Sequence, residues 1–165
     1  FKDKTAPASG SSRPAECVPT SFDSGIKRGE GRVGALEVGQ ALPPLSRTLS
    51  QRQIDMYSGV RPHSIHTDPD WAKAKGFHTT IAQGMMSTAY VSTLMTTCVG
   101  EGFVVGGRMD AKFLRPVFCG DTLNVSGTVE GFSREEDRVR VHVTVAAHNQ
   151  QGEQTLAATS SALCS

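Results

Sequence analysis

The spacing of apolar residues changes once along this chain. From Ile81 to Val99, residues Ile81, Met85, Ala89, Tyr90, Leu94, Met95 and Val99 recur at i, i+3 and i+4, with no Gly or Pro after Gly84. That spacing predicts the longest helix of the protein. Its remaining positions include Ser87, Thr88, Ser92, Thr93 and Thr96, so the helix is almost without charge and is expected to be buried. The stretch from Gly100 to Gly107 then breaks it. Beyond that the period is two: Met109, Ala111 and Phe113; Leu123, Val125 and Val129; then Val139, Val141, Val143 and Val145, with Arg138, Arg140, His142 and Thr144 on the opposite face. Alternation of this kind predicts antiparallel strands with one face buried. Turns are expected at Gly120-Asp121 and at Asn149 to Gly152, a last strand over Thr155 to Leu163, and a merely charged hairpin tip at Ser133 to Asp137.

Before the helix the signals are short. Leu36, Val38, Leu42, Leu45 and Leu49, interrupted by Pro43-Pro44, suit a loop leading into an edge strand. Ser50-Gln51-Arg52-Gln53 has capping-box form and predicts a short helix, with Ile54 and Tyr57, or Tyr57 and Val60, sharing a face. Gly59 and Pro62 end it. Asp68-Pro69 places an N-cap ahead of a proline at the first helical position, and Gly76 closes that second helix. Asp68 is therefore read as a cap rather than a catalytic carboxylate, with Trp71 and Ala72 facing inward and Lys73 and Lys75 in water. Residues 1–32 hold Pro7, Pro14 and Pro19 with isolated Val18, Phe22 and Ile26 and no periodicity, and read as an irregular arm. Residues 33–165 form the folded domain. One apolar helix followed by four strands, with an early strand from before the helix, makes an α+β fold: an antiparallel sheet wrapped around a long central helix.

Composition narrows the function only by exclusion. A formal net charge of +1 gives neither a nucleic-acid footprint nor an acidic tail. No apolar run approaches the roughly 20 residues that span a bilayer, and the N-terminal residues lack a signal-peptide apolar region. Cys17, Cys98, Cys119 and Cys164 are widely spaced, without zinc-ligand spacing, and read as small buried hydrophobes of a cytoplasmic, reducing environment. No metal or cofactor is implied.

The candidate chemistry lies between the capped helices. His66 falls just before the Asp68 cap, and Gly84 stands at the mouth of the apolar helix. A glycine there has a backbone N–H unpaired within the helix and no Cβ to bar a carbonyl, so N–H and helix dipole together stabilise an oxyanion. Gln83 beside it either lines the pocket or faces out. His63 and His66, three apart, either share acid–base work or offer two metal ligands without an evident third.

Ile65-His66-Thr67-Asp68-Pro69-Asp70-Trp71-Ala72, Ile81-Ala82-Gln83-Gly84-Met85, and Phe113-Leu114-Arg115-Pro116-Val117 followed by Gly120-Asp121-Thr122-Leu123 resemble, in order and spacing, the MaoC-like or R-specific enoyl-thioester hydratase family. The resemblance covers roughly Val38 to Leu163. It implies a hotdog fold, a homodimer or higher even oligomer with sites near the interface, and acyl substrates carried as thioesters of coenzyme A or a carrier protein. It also implies a hydratase/dehydratase (lyase) reaction in which His66 is the catalytic histidine and Gly84 the oxyanion residue. The family motif Gly-Asp-x-Asn-Pro-aliphatic-His pairs an aspartate with that histidine. Anchored on His66, this chain has Ile65 at the aliphatic, Ser64 at the Pro, His63 at the Asn and Arg61 at the Asp, and no carboxylate lies between Asp55 and Asp68.

A guanidinium in place of that carboxylate disfavours the imidazolium, leaving general-base work by a neutral His66. Arg61 either offers its planar fork to an anionic substrate or pairs with Asp55 or Asp68. Substrate-binding candidates are thus Arg61, Gln83 and Tyr57, beside the catalytic candidates His66, Gly84 and His63. Three readings stay open: the family reaction, a derived isomerase or cyclase, and a catalytically silent acyl-binding or partner subunit.

Overall fold

The computed structural model describes residues 36–164, so the arm expected over 1–32 and the reading of Cys17 lie outside the described residues. Among the described residues nine elements follow in order: β1 (Leu45–Thr48), α1 (Gln51–Ser58), α2 (Pro69–Ala74), α3 (Gly84–Val99), α4 (Glu101–Gly106), β2 (Arg108–Phe113), β3 (Thr122–Glu135), β4 (Arg138–His148) and β5 (Gln154–Cys164). The strands make one antiparallel sheet in the order β1-β3-β4-β5-β2, an α+β hotdog arrangement with α3 as its central helix. Pro43-Pro44 precedes β1, which is an edge strand as the prolines require.

Alternation delivers the core. Leu123, Val125 and Val129 of β3 and Val141, Val143 and Val145 of β4 are at most 1% exposed, and they pack against Met86, Val91, Leu94, Met95 and Val99 of α3. The helix lies close to the sheet at Gly127. A Cβ there would stand 3.1 Å from Val143, 3.2 Å from Leu42 and 3.3 Å from Leu94, so a glycine lets helix and strand approach.

Local signals set the remaining ends. Ser50 and Gln53 form the expected capping box, and Gly59 ends α1 with φ 72°. On α1 only Ile54 is buried, while Tyr57 and Val60 are exposed. The Asp68 carboxylate accepts from the Trp71 N–H at 3.0 Å, capping α2, and also from the His63 N–H at 3.0 Å. These two backbone donors hold its carboxyl below the usual range. Gly76 turns the chain at φ 91°, and Lys75 lies over the Trp71 ring at 4.7 Å.

Several expectations need correction. The central helix starts at Gly84, because Ile81 pairs as a β-bridge with Phe118 and the Ala82 N–H donates to the Val117 carbonyl. Nor is that helix buried all round: among the described residues Met85 is 60% exposed on its outer face. The region after Gly100 is not merely a break, because Gly100, at φ 71°, redirects the chain straight into α4. Finally, the β3–β4 hairpin is more than a charged tip. Its strands extend to Glu135 and Arg138, leaving Glu136 and Asp137 as the turn, and β3 carries a bulge between Val129 and Gly131.

Arg140, expected on a solvent face, is only 3% exposed. Its guanidinium bonds the Glu135 carboxylate, the Gly106 carbonyl that ends α4 and the Ser161 hydroxyl, and Glu135 also receives Arg108. A buried guanidinium needs such partners, and here they tie the end of α4 to β3 and β5. Hydrogen bonding from Arg140 chiefly, and then the charge of Arg108, depress the Glu135 carboxyl. The depressed carboxyl therefore stabilises the fold fully above the ordinary carboxylate range and loses that contribution as pH falls through its lowered folded-state value. Glu135→Ala is expected to lower Tm clearly at neutral pH, where exposed Glu130→Ala does not, and the gap from wild type is expected to close in acid. Thermal unfolding followed across pH checks it; a gap that widens in acid contradicts the pairing.

Candidate active site

The site begins with a stretch of chain that has no regular structure of its own. Residues 59–68 connect α1 to α2, and their backbone is tied to three neighbours. The Gln51 side chain donates to the His66 carbonyl at 2.9 Å, and its other end receives the hydroxyl of buried Thr80. The Ile81 N–H donates to the Ile65 carbonyl at 3.1 Å. Ile81 in turn pairs with Phe118, so the connection is fastened through one extended residue to the strand entering β3.

That fastening fixes His66. Its Nδ1 lies 2.7 Å from the Ile81 carbonyl oxygen. A carbonyl only accepts, so Nδ1 carries the proton and Nε2 keeps the lone pair of the neutral ring. His66 is half-buried and lines a cavity of about 400 Å³. Gly84, Ser87, Phe113, Arg115 and Thr155 share its wall.

Gly84 opens α3, with Gln83 as a cap residue whose side chain makes no capping bond. The first N–H groups of a helix have no partner within it, and they carry the positive end of the dipole. A Cβ on Gly84 would stand 3.0 Å from the Phe113 ring, so the absence of a side chain keeps this approach open. His66 and Gly84, 18 positions apart in sequence, are brought to one cavity as the residue pattern required.

The other four candidates are elsewhere. Arg61 is exposed; its N–H and C=O both bond the Thr67 hydroxyl, at 3.0 and 2.9 Å, and neither Asp55 nor Asp68 pairs with it. His63, at φ 57°, is exposed and meets the Trp71 ring edge-on at 4.8 Å. Neither lines the His66 cavity, and no group of three metal-ligating side chains occurs among the described residues. Both amide atoms of Gln83 are sealed from solvent without a hydrogen bond, so Gln83 neither lines the cavity nor faces out. Tyr57 is half exposed and lines a separate apolar groove with Met85, Ala89, Met109, Ala111 and Phe113. Phe113 is common to the groove and the cavity.

Three polar residues of the cavity, Ser87, Arg115 and Thr155, were not among the candidates. Ser87 looked like one of several mildly polar positions of a helix, and only its place one turn beyond Gly84 singles it out. Arg115 donates to the Gln154 carbonyl at 2.9 Å and stands 3.9 Å from Glu153 at the rim. It follows β2 in a block that already resembled the family, but side-chain direction there depends on the end of the strand. Among the described residues the lining side chains include no carboxylate.

Comparison with known proteins agrees with this geometry. The MaoC-like domain model matches residues 35–151. The (R)-specific enoyl-CoA hydratase of Rhodospirillum rubrum is 29% identical over 102 residues, covering 61% of this chain and 71% of that protein. The unliganded R-hydratase PhaJ1 of Pseudomonas aeruginosa superposes with a TM-score of 0.68 at 28% identity, over 79% of this chain and 83% of its own. A HadBC (3R-hydroxyacyl-ACP dehydratase) complex from Mycobacterium tuberculosis shares the fold, with a TM-score of 0.61 at 16% identity over 76% and 96% of the two chains. With a matched model spanning most of its length, a hotdog sheet around α3, and His66 and Gly84 on one cavity, the chain belongs to the MaoC-like domain family.

Proposed function

We propose that this protein is a hydratase/dehydratase of acyl thioesters in which His66 is the general base and the N-terminus of α3 is the oxyanion hole. The observation that carries this reading is the His66–Ile81 hydrogen bond, which leaves Nε2 as the basic nitrogen of a ring lining the same cavity as Gly84. The thioester carbonyl accepts from the Gly84 N–H, which polarises the conjugated double bond. Water adds its oxygen to Cβ and gives a proton to Nε2. The π pair moves toward the carbonyl as an enolate, held by N–H and dipole. Nε2–H then returns the proton to Cα, so water has added across the double bond and the imidazole is neutral again. The reverse sequence is dehydration.

One histidine thus does the proton work for which the family motif provides a pair. The cavity wall without a carboxylate favours, as the second reading, a derived isomerase or cyclase that also works by proton transfer beside a carbonyl. A silent acyl-binding or partner subunit is the third, and the pairing of His66 with Gly84 weighs against it.

The assembly belongs to the same reading. Among the described residues strand β2 has only β5 as a neighbour, so no described strand pairs with its other edge. Beside it the groove of about 540 Å³ exposes Met85 and Phe113. An open edge next to an apolar face suits a second copy of this chain, in a homodimer that would also wall the Phe113 side of the cavity.

Crotonyl-CoA hydration by the wild type should fall roughly a hundred- to ten-thousandfold in His66→Ala; equal background rates in both would remove the hydratase reading and leave the other two. Arg61→Ala, outside the cavity, should leave that rate unchanged; a loss confined to acidic acyl thioesters would restore an anion-binding role for Arg61. In sedimentation, Met85→Asp is expected to turn a dimer into a monomer, and a wild type that is already monomeric contradicts the proposed assembly.

A further inference from the structure

We infer that Ser87 is the second holder of the β-oxygen, the water being added or the hydroxyl being lost, in the cavity that it lines with His66. The inference rests on the hydratase reading above. Ser87 is 2% exposed, yet its residue forms part of the cavity wall with His66 and Gly84.

Its hydroxyl is uncommitted. Hydroxyls inside helices ordinarily bond back to a carbonyl three or four residues earlier. On this helix Thr88 does so to Met85 at 2.9 Å, and Thr93 to Ala89 at 2.9 Å. Ser87 makes no side-chain hydrogen bond among the described residues, neither to the Gln83 carbonyl nor to that of Gly84, the two corresponding acceptors. A hydroxyl on the cavity wall without a partner among the described residues is free to bond a polar ligand there.

The other polar side chains of the wall are engaged. Thr155 donates to the Ala147 carbonyl at 3.1 Å, and Arg115 to the Gln154 carbonyl at 2.9 Å. Position agrees as well. Ser87 follows Gly84 by three residues, about 4.5 Å along the helix axis and on a neighbouring part of its surface. That span is comparable with the separation of the two oxygens in a 3-hydroxyacyl thioester. With the carbonyl oxygen at Gly84, the β-oxygen falls near Ser87.

The chemistry asks little of the hydroxyl. Ser87 accepts one hydrogen of the water, or donates to the β-hydroxyl, while the other hydrogen goes to His66 Nε2. Only the imidazole changes its protonation state. Ser87 does not ionise in the neutral range, so the work of a carboxylate is divided between an orienting hydroxyl and a shuttling imidazole.

The test uses the full chain as wild type, Ser87→Ala, Ser87→Thr and His66→Ala. It measures crotonyl-CoA hydration, and calorimetric binding of 3-hydroxybutyryl-CoA and of butyryl-CoA. Removing the hydroxyl should lower kcat about tenfold to a hundredfold with KM little changed, and threonine should recover most of it. Wild type should prefer the 3-hydroxy ligand over the saturated one, and Ser87→Ala should bind the two alike. Retention of both rate and preference in Ser87→Ala, while His66→Ala loses activity, overturns the Ser87 role and keeps the hydratase reading. Background rates in both wild type and His66→Ala overturn the hydratase reading itself. Binding then decides for Ser87: a preference lost in Ser87→Ala supports it as a contact for that oxygen, and a preference absent from wild type or retained in the variant overturns it.

Discussion

The site depends on the backbone of one residue. Ile81 donates its N–H to Ile65, takes the Nδ1 proton of His66 on its carbonyl, and pairs with Phe118 across a β-bridge. Three segments far apart in sequence meet there: the connection after α1, the approach to α3 and the approach to β3. Because the same carbonyl fixes the tautomer of His66, folding and chemistry meet in one hydrogen bond. The chain then runs only from Ile81 to Gly84 before α3 begins, so His66 and the first N–H groups of α3 are held by one short extended segment.

The second constraint is the helix that follows. One side of α3 packs its aliphatic residues on the sheet, with Gly127 allowing the close approach. The other side shows Met85 and Ala89 beside the open strand β2. An uncharged helix with one face uncovered by the other described residues presents an apolar surface. Phe113, on the wall of both groove and cavity, connects whatever covers that face to the space in front of Gly84. The buried Arg140 cluster serves the fold, tying α4 to the sheet.

Much of this could be read from the residues. Strand alternation, the Ser50 capping box and the Asp68-Pro69 cap are local rules, and local rules survive folding. His66 and Gly84 were legible because each stands at a helix entrance, where backbone chemistry is set by sequence. What escaped depended on contacts between distant segments. Ile81 fitted a helical period but is held extended by Phe118, and Arg140 alternated like a surface residue but is buried by Glu135, α4 and Ser161. Arg61 occupied the position of the motif's aspartate, yet its side chain is exposed outside the cavity, a direction that one-dimensional spacing does not encode. Ser87 was hidden by its ordinariness, since only the missing back-bond and the shared cavity distinguish it from Thr88 and Thr93.

The central claim is that His66 Nε2 and the Gly84 N–H flank one reacting group without a carboxylate between them. A crystal structure with the unreactive butyryl-CoA bound tests it most directly. The account predicts the thioester oxygen within hydrogen-bond distance of the Gly84 nitrogen, Cβ facing His66 Nε2, and the His66 Nδ1 bond to the Ile81 carbonyl intact. A thioester seated away from α3, or a His66 ring turned off Ile81 toward a carboxylate, would contradict it.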